Sequence, residues 1–157
     1  MPTLRSGFLC LALLSAPIAV AADQPILTLT GAVQDAPLTL SRDDLLELPQ
    51  HDLVTSTTVT DGTPHFEGFL IRDLLAAHQA EGEVVVARAL NDYQMEIPLS
   101  DFEEFDVIGA LSMDGAPLSP RDKGPTWIVY PRDDHRELQD IRYDTRWVWQ
   151  LVSLHVQ

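Results

Sequence analysis

Short segments in which apolar and polar residues alternate occur along the whole chain, and they predict β-strands. Ile26–Gly31 alternates aliphatic residues with threonine, and Leu38–Leu40 repeats the alternation. Further predicted strands are Leu53–Thr60, Glu83–Leu90, Gln94–Leu99, Val107–Met113, Thr126–Tyr130 and part of Trp147–Val156. Because a strand places alternate side chains on opposite faces, these patterns predict sheets with one buried face.

Helix signals interrupt the strand patterns. Ser41 precedes Asp43 and Asp44, which is the arrangement of an N-cap followed by acidic residues at the positive end of a helix. Leu70–Gln79 places apolar residues at helical spacing and predicts an amphipathic helix on the core. Ser100–Phe105 predicts another capped, acidic turn. The chain is therefore predicted to be an α+β protein, rich in β-structure, with two or three short helices.

Composition and charge narrow the class of function. The 157 residues, of which 45% are hydrophobic and 22% charged, suit one globular domain. The formal net charge is -14. Such a surface repels phosphate backbones and anionic membranes, because affinity for both comes mostly from Lys and Arg. Nucleic-acid binding is therefore excluded as the leading function.

The first residues have the pattern of a secretory signal peptide. Arg5 precedes the apolar segments Phe8–Leu14 and Ala16–Val20, and Ala21 ends a small-x-small cleavage site. We predict a signal peptide over residues 1–21, one domain over residues 22–157, and a periplasmic or secreted protein without stable membrane insertion. The only cysteine, Cys10, lies inside the predicted signal peptide. Removal of this peptide excludes disulfides, thiolate catalysis and cysteine-bound metals from the mature chain.

The order of the later motifs resembles a known family. His65–Leu75 carries an aromatic-x-Gly segment followed by a helix, and four motifs follow it in order: Val84–Tyr93, Ile97–Leu99, Met113–Leu118 and Lys123–Pro131. This order resembles the molybdopterin-binding domain of the sulfite oxidase family, over about Leu38–Val156. The resemblance implies the mixed, β-rich fold of that domain.

The resemblance also implies a cofactor and a metal ligand. Active members hold a molybdenum–pterin cofactor through one cysteine thiolate, which would lie within Val54–Thr60. That stretch contains only valine, threonine and serine here, and a hydroxyl is a poor replacement for a soft thiolate. We therefore predict no cofactor and no catalytic residue, with molybdopterin as the alternative.

The scarce histidines and arginines supply the remaining candidates. The histidines form no H-x-H or H-x-x-x-H pair, so we predict no metal site. Arg132 follows the Tyr130-Pro131 end of a predicted strand, and Arg146 is next to Trp147, positions that suit an anion clamp at a pocket mouth. The predicted ligand-binding residues are His65, Asn91, Tyr93, Arg132 and Arg146.

These observations predict an exported, noncatalytic module that binds a small anion or a protein partner. Two alternatives remain open, namely a molybdenum-cofactor-dependent oxidoreductase and an accessory subunit of a membrane signalling protein. Trp147 and Trp149 are two residues apart, so in a strand they would share one face, and we expect them to close the core.

Overall fold

Residues 24–157 are described by a computed structural model, and they form two β-sheets with short helical segments. The strands are β1 (Pro25–Gly31), β2 (Leu38–Ser41), β3 (Gln50–Val54), β4 (His65–Leu70), β5 (Val84–Ala89), β6 (Gln94–Pro98), β7 (Ile108–Met113), β8 (Ala116–Pro117), β9 (Trp127–Val129) and β10 (Leu151–Val156). The helices are α1 (Arg42–Leu46), α2 (Ile71–Ala77), α3 (Leu99–Glu104) and α4 (Ile141–Asp144), with a 3-10 helix over Arg136–Gln139. The predicted α+β fold class is confirmed. The predicted signal peptide lies outside the described residues.

The first sheet has the strand order β2-β1-β10-β5-β6. β1 and β10 are parallel, with Leu29 opposite Leu154, and the other neighbours are antiparallel. Leu27, Leu29 and Leu154 are buried, as the alternation of side chains along β1 requires. Because β10 lies between β1 and β5, the segment that precedes β10 comes next to the β5–β6 hairpin.

The second sheet has the order β3-β4-β7-β8, and β9 also pairs with β7. The β4–β7 register shifts between Glu67 and Gly68, which leaves Leu111 of β7 as the extra residue of a bulge. The Leu111 carbonyl accepts hydrogen bonds from Leu118 N at 2.9 Å and from the Arg42 guanidinium at 2.5 Å. Both lone pairs of the Leu111 carbonyl oxygen at the bulge are therefore used in hydrogen bonds.

The helix signals are confirmed in part. Ser41 and Asp44 form a reciprocal capping box at α1, in which the Asp44 carboxylate accepts from Ser41 N at 2.8 Å. α2 follows directly from β4, as the apolar spacing predicts. α4 was not predicted, because the charged segment before Asp144 shows little hydrophobic periodicity. Among residues 24–157, no helix has the length and apolar character needed to cross a membrane.

The predicted strand over Leu53–Thr60 is wrong beyond Val54, where β3 ends. Thr55 is buried, and its hydroxyl accepts a hydrogen bond from Asp133 N at 3.2 Å. Ser56 N donates to the Asp133 carboxylate at 2.6 Å. These bonds to a distant loop replace the ladder bonds that a longer strand would make.

Candidate functional site

An aromatic cavity lies between the β5–β6 hairpin and the segment that joins α4 to β10. Its volume is about 260 Å³. The lining residues are Ala89, Asn91, Tyr93, Asp144, Thr145, Trp147, Val148 and Trp149. Most of this lining is apolar, with a few polar groups among the aromatic rings, which is the usual character of a small-molecule site.

The hairpin turn positions the first wall of the aromatic cavity. Ala89 N donates to Tyr93 O at 2.9 Å, and Asp92 adopts a positive φ of 66° between them. Asn91 Oδ1 accepts from Tyr93 N at 3.1 Å, an Asx turn that fixes the start of β6. The Tyr93 hydroxyl donates to Thr145 O at 3.0 Å. Tyr93 therefore joins the two segments that enclose the cavity.

The two tryptophans differ in exposure. Trp147 is 5% exposed and Trp149 is 40% exposed. The expectation that both close the core holds for Trp147 and is wrong for Trp149, and neither lies in a strand, because β10 begins only at Leu151. Trp147 closes the interior while Trp149 and Tyr93, which is 41% exposed, remain accessible at the cavity.

Two polar atoms on residues that line this cavity have no partner within the described residues. Asp144 Oδ1 and Trp147 Nε1 are both buried and make no hydrogen bond. A buried donor or acceptor without a partner costs about 1–3 kcal/mol, so such groups are rare in folded proteins. Because both atoms are enclosed, a ligand in the cavity would reach them only after the two side chains rotate, and an N–H group for Asp144 and an acceptor for Trp147 would then remove both costs.

The guanidinium of Arg146 forms an ion pair with the buried carboxylate of Asp101. Its Nη1 donates to Asp101 Oδ2 at 2.5 Å, and its guanidinium lies 4.6 Å from the ring centroid of Tyr143. The Tyr130 hydroxyl donates to the same Asp101 oxygen at 2.8 Å. This group, which we call the Asp101 cluster (Asp101, Tyr130 and Arg146), joins α3 to the segments that follow β9 and α4.

Burial and charge set the proton affinities in the Asp101 cluster. Burial, followed by the negative charge of Asp101, raises the pKa of Tyr130 well above its ordinary value. Burial alone would lower the pKa of Arg146, but the hydrogen bond and charge of Asp101 raise it above the ordinary arginine value. Tyr130 therefore stays neutral and Arg146 stays charged, as an ion pair with Asp101 requires.

Arg132 lies in a second polar group, formed with Thr55, Ser56 and Asp133. Arg132 Nη1 donates to Ser56 Oγ at 3.4 Å, while its Nε is buried without a partner among the described residues. The Asp133 carboxylate accepts from Ser56 N and from Ser56 Oγ, each at 2.6 Å. The hydrogen bond from the Ser56 side chain, and then that from its backbone, lower the pKa of Asp133.

Replacing Asp133 by asparagine should destabilise the protein at neutral pH. The lowered pKa means that the Asp133 carboxylate contributes stability above the unfolded-state pKa, and that this stability is lost as pH falls through the folded-state pKa. Because Asp133 is exposed and solvent screens its charge, we expect Asp133→Asn to lower the free energy of unfolding by no more than about 1 kcal/mol at pH 7. The difference from the unaltered protein should shrink below pH about 4, as measured by urea unfolding. Asp134→Asn is the control, and an equal effect there would contradict the assignment.

The predicted ligand-binding residues do not form one site. Asn91 and Tyr93 line the aromatic cavity, and Arg146 is adjacent in sequence but bonded to Asp101. Arg132 belongs to the group around Ser56, and His65 lies on β4, where it bonds to a carboxylate of β3. Ligand binding by these five residues stays a prediction.

Sequence reasoning missed Asp144 as a cavity residue. It lies in a charged segment without periodicity, so no local pattern separates it from a solvated surface acid. The spacing of the tryptophans was the one available signal, and it favoured core closure.

Comparison with known proteins identifies the fold. A family model described as the oxidoreductase molybdopterin binding domain matches residues 14–133. The crystal structure of the sulfane dehydrogenase SoxCD from Paracoccus pantotrophus is similar, with a TM-score of 0.64 and 18% sequence identity. The match covers 83% of this chain and 37% of that chain, so the chain spans little more than a third of this relative. No curated protein matches the sequence.

The family match confirms the resemblance and corrects the prediction about cofactors. The family that matches is defined by molybdopterin binding, so the expectation that no cofactor is associated with this chain is wrong. The absence of a cysteine near Thr55 led to that expectation, but a family defined by its cofactor outweighs one missing ligand.

The described residues lack the protein thiolate that would ligate the molybdenum of that cofactor. Residues 24–157 contain no cysteine. Within the stretch where the resemblance places the thiolate, Thr55 and Ser56 already use their hydroxyls in hydrogen bonds with Asp133. Hard, hydrogen-bonded hydroxyls are poor ligands for a metal that selects soft sulfur. The hydroxyls of Thr55 and Ser56 therefore do not replace the thiolate as a protein ligand of molybdenum.

Proposed function

Because the chain belongs to the oxidoreductase molybdopterin-binding domain family, we propose that it is an exported, noncatalytic binding module of that family. The ligand that we propose is a planar nitrogen heterocycle of the pterin type, held in the aromatic cavity. The observation that carries this proposal is the pair of unpartnered atoms, Asp144 Oδ1 and Trp147 Nε1, on residues that line one cavity.

The aromatic cavity suits such a ring in shape and in chemistry. Tyr93, Trp147 and Trp149 supply aromatic surface on which a flat ring can stack. A pterin ring carries N–H groups that a carboxylate such as Asp144 accepts, and a carbonyl oxygen that can accept from the Trp147 indole. A volume of about 260 Å³ suits a ring of this size rather than a large, extended ligand.

The charge of the lining argues against an anion in this cavity. Asp144 is the one charged residue among those that line it, and neither Arg132 nor Arg146 does so. The small anion predicted from the sequence has a separate candidate position at Arg132, whose buried Nε has no partner within the described residues.

The noncatalytic role rests on the hydroxyls around Thr55. A redox site that used a protein thiolate would need a free sulfur at this place, and Thr55 is instead buried and hydrogen-bonded to Asp133. Export rests on the signal-like segment before residue 22. The mass of the protein purified from its native host tests export, since the predicted cleavage removes residues 1–21.

Binding of free pterin tests the proposal. We expect quenching of tryptophan fluorescence on titration with pterin, and Asp144→Asn should weaken binding about tenfold, because a buried hydrogen bond to a charged group contributes about 1.5–3 kcal/mol. Trp147→Phe, which keeps the aromatic ring but removes the N–H group, should weaken binding in a calorimetric titration. Asp134→Asn is the control, because Asp134 does not line the cavity.

The outcomes of this experiment separate the alternatives. Equal pterin affinity in the unaltered protein and in Asp144→Asn would exclude the aromatic cavity as the site. Molybdenum found by elemental analysis of native protein, together with dye-linked reduction of a sulfoxide or sulfite, would favour a cofactor-dependent oxidoreductase. Co-purification with a membrane sensor protein, without pterin binding, would favour an accessory subunit.

A further inference from the structure

A histidine and two carboxylates meet on one face of the second sheet, and none of the three lines the aromatic cavity. His65 and Glu67 are two residues apart in β4, so their side chains lie on the same face. Asp52 of β3 is the register partner of Glu67. The antiparallel register therefore places all three side chains together.

The distances suit one metal ion. His65 Nε2 lies 2.8 Å from Asp52 Oδ1, and one ligand atom from each residue lies within 4.8 Å of the other two. Three ligands at 2.0–2.2 Å from a tetrahedral ion are about 3.3–3.6 Å apart. Rotation of the side chains can bring the ligand atoms from their present separations to these distances, since Asp52 is 75% exposed and His65 is 39% exposed.

Contacts around the three residues favour a bound cation. Asp52 and Glu67 are directly opposite each other, and like charges in such a pair destabilise a sheet. Ser112 Oγ donates to Glu67 Oε2 at 2.9 Å, which orients this carboxylate in the way that outer contacts orient metal ligands. Asp52 and Glu67 also line a cavity of about 420 Å³, which leaves room for water on the ion.

One positive charge lies near these residues. Arg42 lines the same cavity as Asp52 and Glu67, and its guanidinium donates to the Leu111 carbonyl oxygen at 2.5 Å. The guanidinium is therefore held by the bulge of β7, and within residues 24–157 it makes no ion pair with Asp52 or Glu67. Asp52 instead bonds to the imidazole of His65, and Glu67 accepts from the Ser112 hydroxyl.

We propose that Asp52, His65 and Glu67 form a binding site for a divalent transition-metal ion of the zinc type. Carboxylates alone would suit Ca²⁺ or Mg²⁺, whereas an imidazole nitrogen beside them selects Zn²⁺ and its neighbours. Three protein ligands leave the fourth position of zinc to water or to an anionic group. The sequence predicted no metal site because histidine spacing alone does not reveal a ligand contributed by the neighbouring strand.

Calorimetric titration with zinc chloride tests this site. The full chain is used without an oligohistidine tag, after removal of metals with a chelator. We expect one Zn²⁺ per chain, and each of Asp52→Asn, His65→Gln and Glu67→Gln should weaken binding about tenfold or more, since even outer contacts change metal affinity by about 10–100-fold. Zn²⁺ should also raise the midpoint of thermal unfolding of the unaltered protein and not that of His65→Gln.

Matched variants separate this site from general binding to an acidic surface. His155→Gln removes a histidine of β10 that bonds to Thr30, and Asp61→Asn removes an exposed acid outside the site. Both should bind Zn²⁺ as the unaltered protein does. Unchanged affinity in His65→Gln, equal affinity for Mg²⁺ and Zn²⁺, or equal loss in the two control variants would each overturn the proposal.

Discussion

Replacing Arg146 by methionine is expected to lower the free energy of unfolding by about 3 kcal/mol. Arg146 is the cationic partner of Asp101, whose side chain is 8% exposed. Without the guanidinium, the carboxylate keeps only the hydrogen bond from Tyr130, and an unpaired buried charge is strongly destabilising. The estimate lies at the lower end of the range for buried pairs, because Arg146 is itself 22% exposed. Urea unfolding at neutral pH measures the change.

Two further variants serve as controls for Arg146→Met. Arg142→Met removes an arginine four residues earlier whose side chain is 78% exposed and paired with Asp140, and it should have a much smaller effect. The double variant Asp101→Asn/Arg146→Met removes both charges, and it should be more stable than Arg146→Met alone. A loss in Arg146→Met no larger than that in Arg142→Met would show that solvent screens the Asp101 cluster.

The first sheet could largely be predicted from the sequence, because its strands carry their own pattern. Leu27 and Leu29 alternate with threonines, and the hairpin at Asn91 is signalled by polar turn residues between two strands. Such features depend on residues that are close in sequence. The strand over Thr55–Thr60 was mispredicted because β-branched residues indicate only a preference for extended structure, and the partner that holds Ser56 is 77 residues away.

The candidate sites depend on contacts between distant residues, which explains what sequence reasoning missed. Asn91 and Tyr93 meet Trp147 only because β10 inserts beside β5. Arg146 was expected to face a pocket, but Asp101, 45 residues earlier, pairs with it. The guanidinium group indicates that Arg146 binds an anion. The sequence does not indicate which of the many acidic residues of this chain pairs with Arg146.

The aromatic-x-Gly motif was recognised from its order along the chain, and the structure gives its physical reason. Gly68 of β4 lies so close to β7 that a Cβ atom placed on it would be 2.2 Å from Gly109 O and 2.7 Å from Ala110 Cα. Both are backbone atoms of the paired strand. A side chain at position 68 therefore cannot be accommodated by rotation of a neighbour, and the two strands would have to separate.

Replacing Gly68 by alanine is accordingly expected to lower the free energy of unfolding by about 3 kcal/mol, the upper part of the usual range for an overpacked interior. Urea unfolding measures the loss. Gly62→Ala is the control, because a Cβ atom at position 62 would have nothing within 4 Å. The positive φ of 66° alone should lower the free energy of unfolding of this control by about 1 kcal/mol. Because Gly68 pairs within the β4–β7 ladder that also carries Glu67, Gly68→Ala should weaken zinc binding at Asp52, His65 and Glu67 as well. Full stability in Gly68→Ala would mean that β4 and β7 are less closely apposed than the structure shows.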